Sequence, residues 1–161
     1  MAYTDDAVKA KLSALNETQD SIVGVAQWIM FHRRYADRTA SSWLQRVKDS
    51  GSNKRLNLIY LANEVTQQSK ARNKDDFINA FEPVGAPTDE KCTGVMCSRR
   101  NQIIAEATAT AYRGATTEVQ QRIRRVVEVW RQRQVFKSSI QDVVESRIDG
   151  KLFTILNHLQ S

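Results

Sequence analysis

Arginines and apolar residues alternate in the stretch QQRIRRVVEVWRQRQ, residues 120–134, and this combination has a definite chemistry. A guanidinium group is planar, stays charged, and pairs bidentately with a phosphate or a carboxylate. Wound as a helix, the stretch has more apolar surface than one core-facing stripe needs, because Val126 and Val129 extend the apolar arc to one side. The arginines along that side are Arg122, Arg125 and Arg133.

Local charge pairing accounts for most of the arginines in this helix, but not for all of them. The helix carries five arginines and two glutamates, which leaves it with a net charge of +3. The pairs within one turn are Glu118 with Arg122, and Glu128 with Arg124 or Arg131. At least one guanidinium group should therefore lack a local partner, and we expect it to be Arg125, which is flanked by the two valines.

A second stripe of polar residues lies on the helix predicted for residues 54–72. Its members are Tyr60, Asn63, Gln67 and Lys70, spaced by three and four. Asn and Gln each supply a donor and an acceptor, which matches the unpaired N–H and C=O groups of an extended peptide. A tyrosine and two valines would wall a slot for a proline ring, with an arginine at its rim for a phosphate. The two stripes predict a phosphopeptide groove; the alternative is the edge of a wide core face beside solvated arginines.

Catalytic and metal-binding patterns are missing from the sequence. The two histidines, His32 and His158, have no cysteine, aspartate or second histidine at a helical metal spacing. Cys92 and Cys97 would need two further zinc ligands that the sequence does not supply nearby, so we interpret them as ordinary thiols in a loop. No Walker loop, GxSxG elbow or GxGxxG turn occurs. We therefore predict that the protein is not an enzyme and holds no cofactor and no metal.

The charge balance favours a polyanionic partner. The 161 residues include 24 Lys and Arg against 18 Asp and Glu, for a net charge of +6 and a pI near 9.5. Basicity alone leaves phosphoprotein, nucleic acid and anionic membrane open. No apolar run approaches the roughly 20 residues that span a bilayer, and the start MAYTDDAVKAKL lacks the features of a secretory signal. We therefore expect an intracellular protein that does not enter a membrane.

Helices have to position these side chains, and the sequence predicts an all-α fold. Nearly every segment has apolar residues spaced by three and four, whereas Gly and Pro number only six and two. The helices are expected at about residues 4–15, from the N-cap Thr18, at 37–48, at 54–72, from 74, from 103 to near Gly114, from the N-cap Thr117, at 137–149, and briefly after Gly150. The expected core stripes are Val8, Leu12 and Leu15; Ile22, Val25, Ala26 and Ile29; Ala40, Trp43, Leu44 and Val47; Leu58, Leu61, Ala62 and Val65; and Val119, Ile123, Val127 and Trp130.

Short turns between these helices predict antiparallel helix pairs, stacked as a right-handed α-solenoid or superhelical bundle of about eight helices. Such stacks present a grooved face whose usual ligand is an extended peptide. The domain is predicted to cover residues 1–149, with an exposed loop insertion at 85–103 that lies away from the groove. Residues 150–161 would either cap the end of the solenoid, which we favour, or begin a dimerising segment.

Three segments of the chain resemble the CTD-interacting domain, the module that binds the heptad-repeat C-terminal domain (CTD) of RNA polymerase II. They are TQDSIVGVAQWIMFHRR, YLANEVTQQSK and RIRRVVEVWRQRQVF, at 18–34, 60–70 and 122–136. The resemblance spans about residues 3–149 apart from the 85–103 break. It is nearest to the branch that holds the yeast transcription-termination factor of this class and the animal proteins named for regulation of nuclear pre-mRNA. It implies a VHS-like right-handed superhelix whose ligand, phosphorylated on the serine at the second heptad position, binds with a β-turn along the second, fourth and seventh helices.

The resemblance also implies roles for individual residues, by motif position. Arg125 would contact the phosphate of the ligand. Tyr60, Val126 and Val129 would hold the adjacent proline. Asn63 would form a hydrogen bond with the peptide.

The other expected groove residues lie around these. Gln19 and Ser21, at the start of the second helix, would lie near the other end of the ligand. At Glu64 the family carries Asp or His, so this carboxylate would either serve the tyrosine hydroxyl or weaken the approach of the phosphate. The remaining groove positions are Gln67, Lys70, Arg122 and Arg133.

The function implied by the resemblance is that of a nuclear phosphopeptide reader in transcription termination and RNA 3′-end processing. Its partner would be the phosphorylated C-terminal domain of the largest RNA polymerase II subunit, and homodimerisation through regions beyond this chain stays open. Two other classes also stay open. One is a VHS- or ENTH-like trafficking adaptor, and the other, as a secondary candidate, is direct RNA binding by the basic seventh helix.

Overall fold

The computed structural model describes residues 2–81 and 103–149, and every regular element in these ranges is helical. Eight α-helices pack against one another as an α-solenoid, so the prediction of an all-α fold is confirmed. Their bounds are α1 Asp5–Ala14, α2 Gln19–Phe31, α3 Ala36–Asp49, α4 Ser52–Ala71, α5 Asp76–Phe81, α6 Ile103–Tyr112, α7 Thr117–Gln132 and α8 Ser138–Asp149, with a 3₁₀ turn at Arg33–Tyr35.

Threonine residues form the N-caps of α2 and α7. The Thr18 hydroxyl accepts a hydrogen bond from the N–H of Ser21 at 3.2 Å and begins α2 as predicted. The prediction for α7 was wrong by one residue. Its N-cap is Thr116, whose hydroxyl accepts from the N–H of Val119, whereas Thr117 is already the first helical residue.

The turn between α6 and α7 depends on a glycine, as the sequence indicated. Gly114 has a φ of 71°, which lies in the left-handed region that side chains with a Cβ rarely adopt. Beyond it, the N–H of Ala115 donates to the carbonyl of Tyr112, the last residue of α6. This left-handed turn closes α6 and directs the chain into α7.

Packing between the helices follows the predicted stripes. All of the expected core residues are buried except Leu44 and Val119, which are half-buried. Trp43 is 1% exposed and donates its indole N–H to the carbonyl of Leu58 at 2.8 Å, while its ring meets Phe81 edge-to-face at 5.0 Å. Because a buried indole N–H needs an acceptor, this hydrogen bond fixes the position of α3 along the axis of α4.

The order of packing places α4 at the centre of the candidate site. It contacts α2 on one side and α7 on the other, and α8 covers a further face of α7. Helices α3 and α6 complete the layer behind them. Side chains of α4 and α7 that are not used in the core therefore come together along one surface.

Several sequence predictions fall outside the described ranges. Both cysteines, His158 and the segment that begins at Gly150 lie there, as does the loop predicted for 85–103 except for Ile103. Ile103, which was predicted to end the insertion, is the first residue of α6. Within the described ranges, no helix has the length and apolar content needed to cross a bilayer, and no three potential metal ligands cluster together.

Candidate functional site

Helix α4 is held in place at its N-terminal end by a lysine. The ammonium group of Lys54 donates to the carbonyl oxygens of Ser13 and Leu15, at 3.0 and 2.5 Å. These carbonyls lie at the C-terminal end of α1, where a cation is favoured. Burial, together with the charge of Arg46, lowers the pKa of Lys54. These hydrogen bonds hold the N-terminal end of α4, before its polar stripe, against the C-terminal end of α1.

Asn63 is the centre of that stripe and contacts α7 directly. Its Oδ1 accepts hydrogen bonds from the indole N–H of Trp130 at 2.9 Å and from Nε2 of Gln67 at 2.6 Å. Because an indole nitrogen can only donate, the bond from Trp130 decides which side of the amide is the oxygen. The Asn63 Nδ2 group has no partner in the part of the chain that the structure describes. It is therefore available to donate to a ligand carbonyl.

Gln67 and Lys70 join the second half of α4 to the C-terminal end of α7. The guanidinium group of Arg133 donates to Oε1 of Gln67. Lys70 donates to the carbonyl oxygens of Arg133 and Gln134, the latter at 2.5 Å. A lysine on the last carbonyls is a common way to end a helix. These three predicted groove residues therefore have a structural role, and their contact with a ligand stays a prediction.

The apolar part of the surface is narrower than the sequence suggested. Val126 is only 6% exposed and belongs to the core, while Val129 is half-buried. From the opposite helix, Tyr60 is also half-buried and packs against the same core. Val126 thus supplies a floor, and the partly exposed Tyr60 and Val129 are the side chains that an apolar ring could contact.

Arg125 differs from the other arginines of α7. Those pair as Arg122 with Glu118 at 2.8 Å, Arg124 with Asp149, Arg131 with Asp142 and Glu145, and Arg133 with Gln67. The Arg125 side chain is exposed and makes no ion pair or hydrogen bond within residues 2–81 and 103–149. The sequence identified this unpaired guanidinium group correctly. Its contact with a phosphate stays a prediction.

The partners of Arg124 and Arg131 differ from those expected. Both were assigned to Glu128, one turn away on the same helix. In the structure Arg124 pairs with Asp149, and Arg131 pairs with Asp142 at 2.6 Å, so both bridge to α8. Glu128 instead accepts a hydrogen bond from a neighbouring glutamine at 3.3 Å. The packing of α8 along this face of α7 brings in carboxylates that no local pattern in α7 could reveal.

These bridges change the protonation equilibria of the groups involved. The hydrogen bond from Arg131 lowers the pKa of Glu145, although its partial burial opposes that effect. Hydrogen bonds to Glu145 and Asp142 raise the pKa of Arg131, and the bond to Asp149 raises that of Arg124. Glu145, Arg124 and Arg131 are therefore ionised at neutral pH. In the described ranges, the arginines here without a carboxylate partner are Arg125 in α7 and Arg133 at its C-cap.

Gln19 and Ser21 lie at the start of α2, whereas Glu64 lacks the contact considered for it. Gln19 is the first residue of the helix and is exposed. The Ser21 hydroxyl accepts from a backbone N–H of the preceding turn at 3.1 Å. Glu64 accepts a hydrogen bond from Gln68 at 2.5 Å, and none joins it to the Tyr60 hydroxyl in the described ranges. Its carboxylate is thus directed along α4.

A cleft of about 620 Å³ opens beyond Lys70, between α5 and the turn from α7 to α8. Ile78, Phe136 and Gln141 are among its lining residues. Of the predicted site residues only Lys70 reaches it, so it is separate from the surface around Arg125 and Tyr60. The expected phosphate position is an open surface, which suits an extended ligand better than an enclosed small molecule.

Trp130 is the residue of this site that the sequence analysis did not recognise. It was assigned to the core stripe, and it is indeed fully buried. Its indole N–H, however, decides the orientation of Asn63. The available signal was that a buried tryptophan needs an acceptor. The spacing of residues in α7 could not show that this acceptor would be on α4.

Comparison with known proteins points to one family. The family model of the CID domain matches residues 6–144, which includes α2, α4 and α7.

The similar proteins are much longer than this chain. It is similar to Regulation of nuclear pre-mRNA domain-containing protein 1B of Homo sapiens, with 27% identity over 93% of this chain and 40% of that protein. Protein 1A of the same name, also from Homo sapiens, has 24% identity over 92% of this chain and 41% of its own length. A UPF0400 protein of Schizosaccharomyces pombe has 37% identity over 93% of this chain and 34% of its own length. The chain thus spans about two fifths or less of the length of these relatives.

Proposed function

The chain belongs to the CID domain family, the CTD-interacting domains, and we propose that it binds the heptad-repeat C-terminal domain of the largest RNA polymerase II subunit. The ligand is the form phosphorylated on the serine at the second heptad position. It lies in the groove along α2, α4 and α7. The domain acts as a reader of this mark and not as a catalyst.

The single observation that carries the proposal is the unpaired guanidinium group of Arg125 next to a half-buried apolar strip. Arg125 is exposed, while Val129 on the same helix and Tyr60 on α4 remain partly exposed. A phosphate pairs bidentately with a free guanidinium group. The residue after the phosphoserine in such a tail is a proline, whose ring needs an apolar contact. Arg125 and Val129 are four residues apart on α7, so they lie on the same face of that helix and support binding of a phosphate next to a proline.

Asn63 supports an extended peptide as the ligand. Its oxygen is occupied by Trp130 and Gln67, so only its Nδ2 group is left to face a partner. It then acts as a donor to a backbone carbonyl, and this polarity requires the peptide to present a C=O and not an N–H at this point. Gln19 and Ser21 contact the far end of the ligand at the start of α2.

A single heptad binds weakly, because a flexible tail is ordered by only a few anchoring side chains. Many repeats on one tail raise the local concentration of sites. A second copy of the domain, joined through regions beyond this chain, would raise it further. Partner recognition is thus a property of the repeated tail and not of one heptad.

The names of the relatives support a nuclear place for this activity. Two of them are named for regulation of nuclear pre-mRNA. A reader of the polymerase tail that works on pre-mRNA belongs in the nucleus, and transcription termination and RNA 3′-end processing are the steps we assign to it.

The test is a calorimetric titration with three two-heptad peptides: one unphosphorylated, one phosphorylated on the second-position serine, and one on the fifth-position serine. The second-position peptide should bind most tightly. Arg125→Ala should remove about 1.5 to 3 kcal/mol, the scale of a charge-assisted hydrogen bond. Arg125→Lys should recover only part of this, because an ammonium group cannot pair bidentately. Arg113→Ala, also an exposed arginine, is the matched control and should have no effect. Equal binding of all three peptides would refute the proposal.

The two alternative classes are tested in the same preparation. An adaptor for anionic lipid should float with liposomes, whereas a peptide reader should stay behind. RNA binding by α7 is disfavoured because three of its four arginines are already paired with carboxylates.

A further inference from the structure

The end of the molecule where α2 and α4 stop carries an exposed aromatic ring. Phe31, the last residue of α2, is 81% exposed, and it is the one large apolar side chain in the described ranges with such exposure. Leaving a phenyl ring in water has a free-energy cost and brings no gain in packing. The groove described above has its α2 residues at the opposite end of this helix, about 18 Å away at 1.5 Å per residue.

The ring of Phe31 is supported from one side. The centroids of the Phe31 and His32 rings are 5.1 Å apart, and the two rings are nearly perpendicular, with an interplanar angle of 86°. His32 is 9% exposed and packs on Trp28 at 4.6 Å, and Tyr3 lies at 5.7 Å from it. Because Phe31 is 81% exposed, this contact leaves most of the phenyl ring open to solvent, where another ring could stack on it.

Four cationic side chains lie in the segments that directly follow α2 and α4. They are Arg33, Arg34, Arg72 and Lys74, and we call them, with Phe31, the α2–α4 end surface. All four are exposed, and their side chains have no ion pair or hydrogen bond within residues 2–81 and 103–149. Lys54 and Lys70 show the contrast, because their ammonium groups do bind helix carbonyls.

A buried hydroxyl group connects the two halves of this surface. Arg33 from the end of α2 and Arg72 and Lys74 from the end of α4 line one small cavity of about 60 Å³. Ser69 also lines it, is 1% exposed, and its Oγ has no hydrogen-bond partner in the described ranges. Asp76 is the acidic residue in the lining, so three cations face one carboxylate. The cavity is too small for a side chain of a ligand, but an anionic group at its mouth would meet the three cations.

We propose that the α2–α4 end surface binds single-stranded RNA, with one base stacked on Phe31 and the flanking phosphates on Arg33, Arg34, Arg72 and Lys74. Aromatic stacking platforms beside unpaired cations are the usual means of binding a single strand without strict sequence preference. A phosphopeptide needs an apolar slot and backbone partners, as between α4 and α7, and this surface has neither. The proposal is independent of the phosphopeptide site, and the two ligands bind at once.

The experiment measures the fluorescence anisotropy of a labelled single-stranded 10-nucleotide RNA titrated with the protein at several salt concentrations. Phe31→Ala and Phe31→Leu should both weaken binding by about 5- to 100-fold, because the effect depends on the aromatic face and not on apolar area. Phe31→Trp should bind as tightly as the native protein or more tightly. Since Phe31 is exposed, none of these changes affects folding.

The charges are tested by Arg33→Ala with Arg34→Ala and by Arg72→Ala with Lys74→Ala. Each pair should lower affinity and reduce the slope of log affinity against log salt by about one to two, the number of phosphate contacts removed. Arg113→Ala, an exposed arginine outside this surface, is the matched control and should change neither quantity. A double-stranded RNA of the same length should bind more weakly, since its bases are already stacked.

The outcomes separate this proposal from the phosphopeptide site. Phe31→Ala should leave heptad-peptide affinity unchanged, and Arg125→Ala should leave RNA affinity unchanged. Native RNA affinity in Phe31→Ala, or in Phe31→Leu, would overturn the proposal. So would Phe31-dependent binding of an acidic peptide at the affinity of the RNA, because the surface would then be a site for acidic proteins. Neither outcome bears on recognition of the polymerase tail.

Discussion

Recognition at the scale of single residues rests on which polar groups are already occupied. The indole of Trp130 takes the oxygen of Asn63 and so leaves a nitrogen donor for a ligand. Arg122, Arg124 and Arg131 form ion pairs with carboxylates of the protein, whereas Arg125 forms none in the described ranges. In both cases a contact inside the protein removes alternatives for the ligand. Within the described ranges, Arg125 is therefore the one arginine of α7 whose guanidinium group has no protein partner.

Trp130→Phe tests this account of Asn63. The substitution removes the indole donor, so the Asn63 amide can rotate and present its oxygen to the ligand. We expect heptad-phosphopeptide affinity to fall by about 1 kcal/mol, the usual net value of one hydrogen bond, with the loss measured by calorimetry.

Asn63→Ala provides the comparison for that prediction. It should weaken binding at least as much as Trp130→Phe, and the double variant should lose no more than Asn63→Ala alone. An additive loss in the double variant would mean that Trp130 acts on the ligand by another route.

At the scale of elements, α7 is held from two sides. Toward α4 it is joined by Trp130 with Asn63, and by Lys70 at its C-terminal carbonyls. Toward α8 it is joined by Arg124 and Arg131, whose partners are carboxylates of that helix. Helix α7 cannot rotate about its axis without breaking these contacts. They therefore fix the position of Arg125, although Arg125 itself takes part in none of them.

The start of α7 is tested by a pair of adjacent threonines. Thr116→Ala removes the hydroxyl that accepts from the Val119 N–H and should reduce the free energy of unfolding by about 0.5 to 1 kcal/mol. Thr117→Ala, the matched control, should have little effect, because Thr117 is the first helical residue and alanine is a good helix former. Urea denaturation followed by circular dichroism measures both. A larger loss of unfolding free energy in Thr117→Ala than in Thr116→Ala would show that Thr117 is the N-cap, as the sequence pattern suggested.

The joint between α7 and α8 should depend on pH through Glu145. Its folded-state pKa is lowered by Arg131, so it contributes stability above its unfolded value near 4.5, and this stability is lost as pH falls through the lower folded pKa. In Glu145→Gln the urea midpoint should be lower than native at pH 7. The difference should shrink as the pH is taken below about 4.5. A difference that stays constant from pH 7 to pH 3 would show that packing, and not charge, is responsible.

For the molecule as a whole, the buried tryptophans link the layers. Trp43 joins α3 to α4 through its bond to Leu58, and Trp130 joins α7 to α4. Helix α4 is therefore common to the core and to the groove. The core stripe of α4 fixes the position of the helix, so its polar stripe is not needed to hold it there.

Trp43→Phe tests the separation of stability from binding. Loss of the indole donor and of ring volume should reduce the free energy of unfolding by about 1 to 2 kcal/mol. Affinity for the phosphopeptide at 25 °C should not change, because Trp43 lies on α3 and contacts α4 and α5 inside the core. Chemical denaturation and calorimetry on the same sample check this. A parallel loss of affinity would mean that the groove is not held independently.

The sequence by itself determined the helices, their buried stripes and the arginine that lacks a local partner. These features depend on residues three or four positions apart, and helical geometry makes such neighbours predictable. It also allowed the left-handed turn at Gly114 to be placed.

Only the tertiary structure decided the partners that lie far apart in the chain. Asn63 meets Trp130, 67 positions away, and Arg131 meets Glu145 on α8 instead of Glu128 on its own helix. Lys70, predicted to face a ligand, also donates to the carbonyl of Gln134 just beyond α7, a contact 64 positions away in the chain. Pairing between helices depends on their crossing angle and relative height, which are set by the packing of all the core side chains together and not by the spacing within any one helix.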